Sequence, residues 1–264
     1  MSSLLGLFTK FSRRTLQPSV FPLLTLQKRA RQTNPYDSPS ASARILAPSA
    51  SGFTKRDLEV LQVSFKPADK YDVIPDIKVT NFPEQYLLPY INHDLLINRN
   101  FNVENFTEIL DDHVKTFVDK LHDVVKNSGL DAGTSESTTD TLVNDLVLHV
   151  VNFDTWPFKV RLQPPLKLIA RNESVTAEPK FVINKRQIAL IGAEIYMFLM
   201  LENGFGEWQI AGEILACGYE NVIKNYVDQE IFAFRVISTY VTFYRAEISV
   251  SYWEALYETL PSRD

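Results

Sequence analysis

Residues 178–196, EPKFVINKRQIALIGAEIY, combine carboxylates and a lysine at spacings suited to metal-dependent phosphodiester chemistry. The pattern predicts two β-strands joined by a polar turn, with Lys180 early in the first strand and Glu194 and Tyr196 ending the second. Carboxylates that converge on Mg²⁺ stabilise the attacking and leaving oxygens at phosphorus, and a nearby cation steadies the phosphate. Because residues two apart on a strand share a face, Glu178 is predicted to lie beside Lys180.

The elements that must position this hairpin are predicted from hydrophobic periodicity and turn signals. The helices are expected at 105–127, 135–153, 207–225 and 251–261, and two further strands at 229–239 and 240–248. A short helix after Thr54 is predicted with Asp57 at its third position. The order is helix, helix, three strands, helix, two strands, helix. It predicts an α/β or α+β sandwich with one mixed sheet.

This ordered set, with the pieces EPKFVINK, IALIGAEIY and GEWQIAGEILACG, resembles the PD-(D/E)xK nuclease superfamily. The superfamily is also called restriction-endonuclease-like, and the resemblance is to its divergent fungal members of uncharacterised role. It spans roughly residues 130–262. It implies a restriction-endonuclease-like core, in which a central mixed β-sheet is flanked by helices.

The resemblance carries the family's functional positions onto seven residues of this chain. Glu136 matches the acidic residue of the first helix, Pro179 the motif proline, and Glu194 the second metal-binding carboxylate. Lys180 stands at the place of the metal-binding aspartate, and Tyr196 at the place of the catalytic lysine. Gln209 and Glu213 match auxiliary polar positions that some members of the family have.

Two of these positions depart from the family pattern. Lys180 puts a positive charge where a divalent cation would bind, a repulsion of about 4 kcal/mol for each unit of the cation's charge at ~4 Å and an effective dielectric of ~20. Tyr196 is neutral at pH 7 and cannot replace a cation at the phosphate. The sequence therefore predicts a catalytically impaired nuclease-like domain without a cofactor, which acts as a binding or scaffold protein.

Two alternatives remain open at this stage. In one, the chain is an active Mg²⁺-dependent DNase or RNase, with Glu178 and Glu194 as metal ligands and Lys180 as a relocated catalytic lysine. In the other, the hairpin belongs to an ordinary α/β domain and only packs a core. The four histidines are too scattered for a metal cluster, and the single cysteine, Cys217, is expected to be a small buried hydrophobe.

The charge distribution bears on the partner. Residues 1–36 hold six basic and no acidic residues, which leaves 21 basic against 32 acidic residues and a net charge of −11 for residues 37–264. A body this acidic fits a broad phosphate-binding surface poorly, so a protein partner is favoured at least as strongly as nucleic acid. No apolar run reaches the length needed to span a bilayer.

The N-terminal segment has the composition of a mitochondrial transit peptide. A helical wheel over residues 4–16 separates apolar from basic residues, and the basic run 28–31 is a candidate processing region. The predicted organisation is a transit peptide at 1–36, a linker at 37–52, an arm with a helical extension at 53–129 and the nuclease-like core at 130–264. The predicted location is the mitochondrial matrix. The alternative is that the segment is a disordered basic tail and that the protein is located in the cytoplasm or nucleus.

Overall fold

The computed structural model describes residues 12–18, 44–73, 83–127, 136–170, 172–185, 196–201 and 206–258. The α-helices of this part are α1 (Lys55–Leu61), α2 (Lys70–Val73), α3 (His93–Leu96), α4 (Asp112–Asn127), α5 (Glu136–Asp145), α6 (Glu207–Val222) and α7 (Val250–Glu258). A π-helical turn, Leu146–Val150, continues α5 directly. No helix in these ranges is both long and apolar enough to cross a bilayer.

The strands form one large mixed sheet and one separate hairpin. They are β1 (Ser12–Pro18), β2 (Val63–Pro67), β3 (Phe158–Leu162), β4 (Leu166–Ala170), β5 (Glu173–Ala177), β6 (Phe181–Lys185), β7 (Tyr196–Leu201), β8 (Gln229–Ile237) and β9 (Tyr240–Ile248). The large sheet has the order β2-β1-β9-β8-β7-β6-β3, and β4 pairs with β5 alone. Only the pairs β1–β9 and β7–β8 are parallel. The fold is therefore α+β with a mixed sheet, as the order of elements predicted.

Helix α6 is the centre of the largest core, and twelve of its sixteen residues are buried. It lies between the large sheet and the β4–β5 hairpin, so it is apolar on nearly every side. Gly218 allows α6 to approach α7 and the sheet closely, because a Cβ there would lie 2.9 Å from Cζ2 of Trp253 in α7 and 3.1 Å from Cδ1 of Ile248 in β9. Gly212 allows a close approach on another side of α6, where a Cβ would lie 2.9 Å from the ring of Phe53.

The other face of the sheet is covered by α5 and its π-helical turn. Val143 and Val147 pack there in a second cluster that includes Ile183 and Val236. Leu142 belongs instead to a third cluster, built around α4 and the segment before it. Helix α5 therefore connects the sheet to the helical layer.

Helix α4 is shorter than predicted, since it begins at Asp112 rather than near residue 105. The carboxylate of Asp111 accepts hydrogen bonds from the backbone N–H groups of His113 at 2.8 Å and Val114 at 3.2 Å. These bonds satisfy donors that the first helical turn leaves without a partner. Ile109, upstream of α4, is also buried and thus continues the apolar pattern of the helix, but residues 106–111 are not helical.

Two segments in the N-terminal quarter of the chain form strands of the large sheet, which corrects two expectations. Residues 12–18 form strand β1, where the helical wheel predicted an amphipathic helix, and residues 63–67 form β2 within an arm expected to be irregular. Pairing with β2 and β9 satisfies backbone groups on both sides of β1, whereas a short helix without packing partners is only marginally stable in water. The rest of the segment 1–36 and the linker up to residue 43 lie outside the described residues.

The predicted cap of α1 is confirmed. The Asp57 carboxylate accepts hydrogen bonds from Thr54 N at 2.8 Å, from Thr54 Oγ1 at 2.7 Å and from Ala47 N at 2.9 Å. Burial raises the pKa of this carboxyl, but the hydrogen bonds from Thr54 and Ala47 outweigh burial and lower the pKa overall. The segment before α1, which contains Ala47, is thereby fixed to the start of this helix.

Candidate functional site around Lys180

Lys180 lies in the bend before β6, where the family's metal-binding aspartate would stand. Its ammonium Nζ is 3.3 Å from Oδ2 of Asp140, and the two side chains are 24% and 28% exposed. The backbone carbonyl of Lys180 accepts a hydrogen bond from Gln163 N at 2.9 Å, which fixes the bend beside the end of β3. An ion pair of helix α5 with the start of β6 therefore occupies this position.

Asp140 was not among the residues singled out from the sequence. It lies four residues after Glu136 and thus on the same side of α5, one turn further on. That i, i+4 spacing is the signal by which it could have been found. Glu136 itself opens α5, and its side chain lies outside the described residues.

Glu178 does not share a strand with Lys180. Strand β6 begins only at Phe181, so the alternation of strand faces does not apply to residues 178 and 180. Glu178 is exposed in the link between β5 and β6, whereas Pro179 is buried. The expectation that strand geometry places Glu178 beside Lys180 therefore loses its basis.

Tyr196 lies at the opposite end of β6 from Lys180. The predicted hairpin is present, since β6 and β7 pair antiparallel, but Asn184 is the residue opposite Tyr196. Four residues of extended chain separate Lys180 from Asn184, which is about 14 Å at ~3.4 Å per residue. Tyr196 begins the second strand rather than ending it, and Glu194 lies outside the described residues. The structure does not bring Lys180 and Tyr196 together.

Gln209 and Glu213 form a buried polar pair in α6. Gln209 Nε2 donates a hydrogen bond of 2.8 Å to Oε1 of Glu213, and the two residues are 6% and 1% exposed. A buried carboxylate is expensive unless polar groups stabilise it, and an amide one helical turn away supplies one such group. The prediction that these residues lie on one face of the helix is confirmed.

A charged cluster ties the edge strand β3 to α6. Arg161 donates two hydrogen bonds to Glu220, of 3.1 and 2.6 Å, and Lys224 donates a third of 3.1 Å. Burial raises the pKa of the Glu220 carboxyl, but the bonds from Arg161 and Lys224 outweigh it and lower that pKa. The fork geometry indicates a structural connection.

The thiol of Cys217, in the same helix, is fully buried as predicted, and burial raises its pKa well above the usual value.

Two of the histidines are closer together than the sequence suggested. The rings of His113 and His149 stack with centroids 5.5 Å apart, and His149 Nε2 is 3.9 Å from the buried carboxylate of Asp145. Lys120 Nζ lies 3.3 Å from the same carboxylate. His122 points elsewhere, with its Nδ1 2.6 Å from the carbonyl oxygen of Leu96. Within the described ranges, no three His, Cys, Asp or Glu side chains are arranged to hold a metal ion.

Comparison of the chain with protein-family models, with curated proteins and with solved structures finds no match.

Proposed function

We propose that this protein is a catalytically impaired, nuclease-like domain that acts as a binding or scaffold protein. The observation that carries the proposal is the ion pair of Lys180 with Asp140, at the position where the resemblance requires a metal-binding aspartate. The order of elements supports the restriction-endonuclease-like part of the proposal. Helix α5 precedes the antiparallel pair β6–β7, and α6 then connects β7 to a parallel β8.

The residues at this position do not fit Mg²⁺. A hard divalent cation takes oxygen ligands, and the ammonium of Lys180 supplies none. At ~4 Å its charge opposes the cation by about 4 kcal/mol for each unit of the cation's charge, at an effective dielectric of ~20. The Asp140 carboxylate already faces that ammonium at 3.3 Å, so a metal would have to separate the two. The register of β6 and β7, which sets Tyr196 far from Lys180, also argues against an assembled catalytic centre.

The charge of the body favours a protein as the partner. Residues 37–264 carry a net charge of −11. The negative phosphates of a nucleic acid would repel a body of this charge unless basic residues formed a local cluster on its surface. A protein surface with basic residues would be attracted to the same body. Binding through a folded, non-catalytic core is consistent with the ion-paired state of Lys180.

Replacing Lys180 by Asp tests the proposal. The full-length wild type is expected not to bind Mn²⁺ in calorimetry and not to cleave single- or double-stranded DNA or RNA. The Lys180→Asp variant removes the repelling charge and adds a carboxylate beside Asp140, so Mn²⁺ affinity is expected to rise at least about a hundredfold. The titration is read as heat of binding at one ionic strength, because salt screens the charges involved.

Lys185→Asp is the matched control, because Lys185 is exposed at the far end of β6 and its replacement makes the same change in net charge. It is expected to leave Mn²⁺ affinity unchanged. Metal binding and cleavage by the wild type would instead support the active enzyme, with Glu178, Glu194 and Lys180 in the site. Equal behaviour of the two variants would show that Lys180 does not decide metal binding.

We also propose that the protein is imported into the mitochondrial matrix. Residues 1–36 are basic and free of acidic residues, and a transit peptide is recognised in an unfolded precursor. Because residues 12–18 pair as β1 in the folded chain, this address would have to be recognised before folding. A reporter fused to residues 1–40 is expected to enter mitochondria, and the same fusion with Arg13→Glu and Arg14→Glu is expected to stay in the cytosol. A wild-type fusion that stays cytosolic would contradict the proposal.

A further inference from the structure

Strand β1 is inserted between two strands that are distant from it in sequence. Residues Ser12–Leu16 run parallel to Thr242–Ala246 of β9, and residues Arg14–Pro18 run antiparallel to Val63–Pro67 of β2. In the strand order of the described sheet, β2 neighbours β1 alone. Backbone pairing through β1 is thus the link between β2 and the rest of this sheet.

The two strands that flank β1 are nevertheless held together independently of it. The rings of Phe65 on β2 and Tyr244 on β9 meet with centroids 5.4 Å apart. Arg245 of β9 donates a hydrogen bond of 2.6 Å to the carbonyl oxygen of Asp72 in α2. Because Tyr244 and Arg245 are adjacent on one strand, these two connections lie on opposite faces of the sheet.

A third connection fixes the entrance to β2. The hydroxyl of Tyr252 in α7 donates a hydrogen bond of 2.9 Å to the carbonyl oxygen of Leu61, at the end of α1 and two residues before β2. Val63, the first residue of β2, is 5% exposed and belongs to the largest core. None of these three connections runs through β1, so withdrawal of β1 would leave its two walls linked across a gap one strand wide.

The gap offers main-chain partners on both of its sides. The register pairs five residues of β1 with β2 and five with β9, and Thr15 takes part in both pairings, opposite Lys66 and Arg245. Pairing of main-chain groups supplies the affinity in strand addition. An extended backbone is therefore what the gap can take up.

We infer that the gap between β2 and β9 is a binding site for one extended strand with the sequence of residues 12–18, which the chain fills with its own copy of that segment. The resident strand is exchangeable, since the walls do not depend on it. The inference is independent of the function proposed for Lys180. It has a consequence for processing: a cut in the basic run 28–31 would leave β1 attached by pairing alone.

A full-length chain that is folded first and cut afterwards tests the inference. The recognition sequence of a site-specific protease replaces residues 33–40, between β1 and the first described residue after it, Arg44. A fluorescent peptide with the sequence of residues 10–20 is added before and after cutting, and its anisotropy is followed. The uncut chain holds its own strand at an effective concentration on the order of millimolar, so labelled peptide is expected to bind at least about tenfold better after the cut.

The control is the same peptide with Thr15→Pro. Thr15 pairs with Lys66 on one side and Arg245 on the other, and proline in a central strand removes a ladder donor. Its binding is expected to be at least about tenfold weaker. The inference is overturned if the cut chain takes up no peptide, if the proline peptide binds equally well, or if cutting makes no difference.

Discussion

Replacing Trp253 by alanine is expected to lower the free energy of unfolding by about 3–5 kcal/mol. Trp253 in α7 is fully buried, and its ring lies 5.3 Å from that of Tyr252 and 6.2 Å from that of Tyr219, centroid to centroid. It also fills the space that Gly218 leaves between α6 and the sheet. The cavity left by alanine would remove contacts from helices α6 and α7 and from β9 together.

Urea denaturation followed by far-UV circular dichroism measures this effect. Trp156→Ala is the matched control, because the same residue type is deleted at a position that is 64% exposed. Its expected change in unfolding free energy is within about 0.5 kcal/mol. A similar loss for both variants would contradict the assignment of Trp253 to the centre of the core. A loss below about 1 kcal/mol for Trp253→Ala would do the same.

Much of the fold follows from local patterns in the sequence. Helices α5, α6 and α7 and strands β8 and β9 were predicted within a few residues, because each buries a continuous apolar face with a clear period. The Thr54–Asp57 cap was predicted for the same reason, since it depends on residues three apart. Features set by neighbours in sequence were the ones that sequence reasoning could reach.

Some of the features that were missed depend on residues distant in sequence. Strand β1 has an amphipathic helical pattern, and only pairing with β9, more than two hundred residues later, makes residues 12–18 a strand. Two other missed features, the π-helical turn after α5 and the pairing of β4 with β5 alone, involve neighbouring residues but have no strong sequence signal. The stacking of His113 on His149 requires α4 and α5 to pack together, which spacing along one helix cannot reveal.

The candidate site shows the same limit. The sequence predicted the hairpin with Lys180 at its start, but not the register of its strands, which in the structure places Tyr196 opposite Asn184. Register depends on the length of the connection and on which faces are buried, and neither was known from the motif. The motif indicates carboxylates on the strands and therefore does not indicate Asp140, which lies one helical turn from Glu136 and pairs with Lys180. Residue types at a site were predictable, but their pairing was not.

The coupling between the helical layer and the sheet leads to the second large effect. Leu121 in α4 is 1% exposed and belongs to the same cluster as Leu142 and Val150, which lie on α5 and its π-helical turn. The intervening residues Val143 and Val147 pack on the sheet. A single helix therefore transmits packing from one cluster to the other, across the boundary at 129–130 that the sequence suggested.

Replacing Leu121 by alanine is accordingly expected to cost about 2–5 kcal/mol of unfolding free energy and to do so in one cooperative transition. The three tryptophans of the chain, Trp156, Trp208 and Trp253, lie outside α4, so their fluorescence reports the sheet side while circular dichroism reports the helices as well. Leu110→Ala, at a position 88% exposed, is the matched control and is expected to change stability by less than about 0.5 kcal/mol.

The two signals distinguish one folding unit from two. If α5 couples the layers, fluorescence and circular dichroism are expected to shift to the same lower urea midpoint in Leu121→Ala. If the helical layer unfolds alone, circular dichroism acquires an early phase while the fluorescence midpoint keeps its wild-type value. In that case the ion pair of Asp140 on α5 with Lys180 would lose its support from α4 before the sheet unfolds. The ion pair at Lys180 would then depend on a layer that is stable only in part.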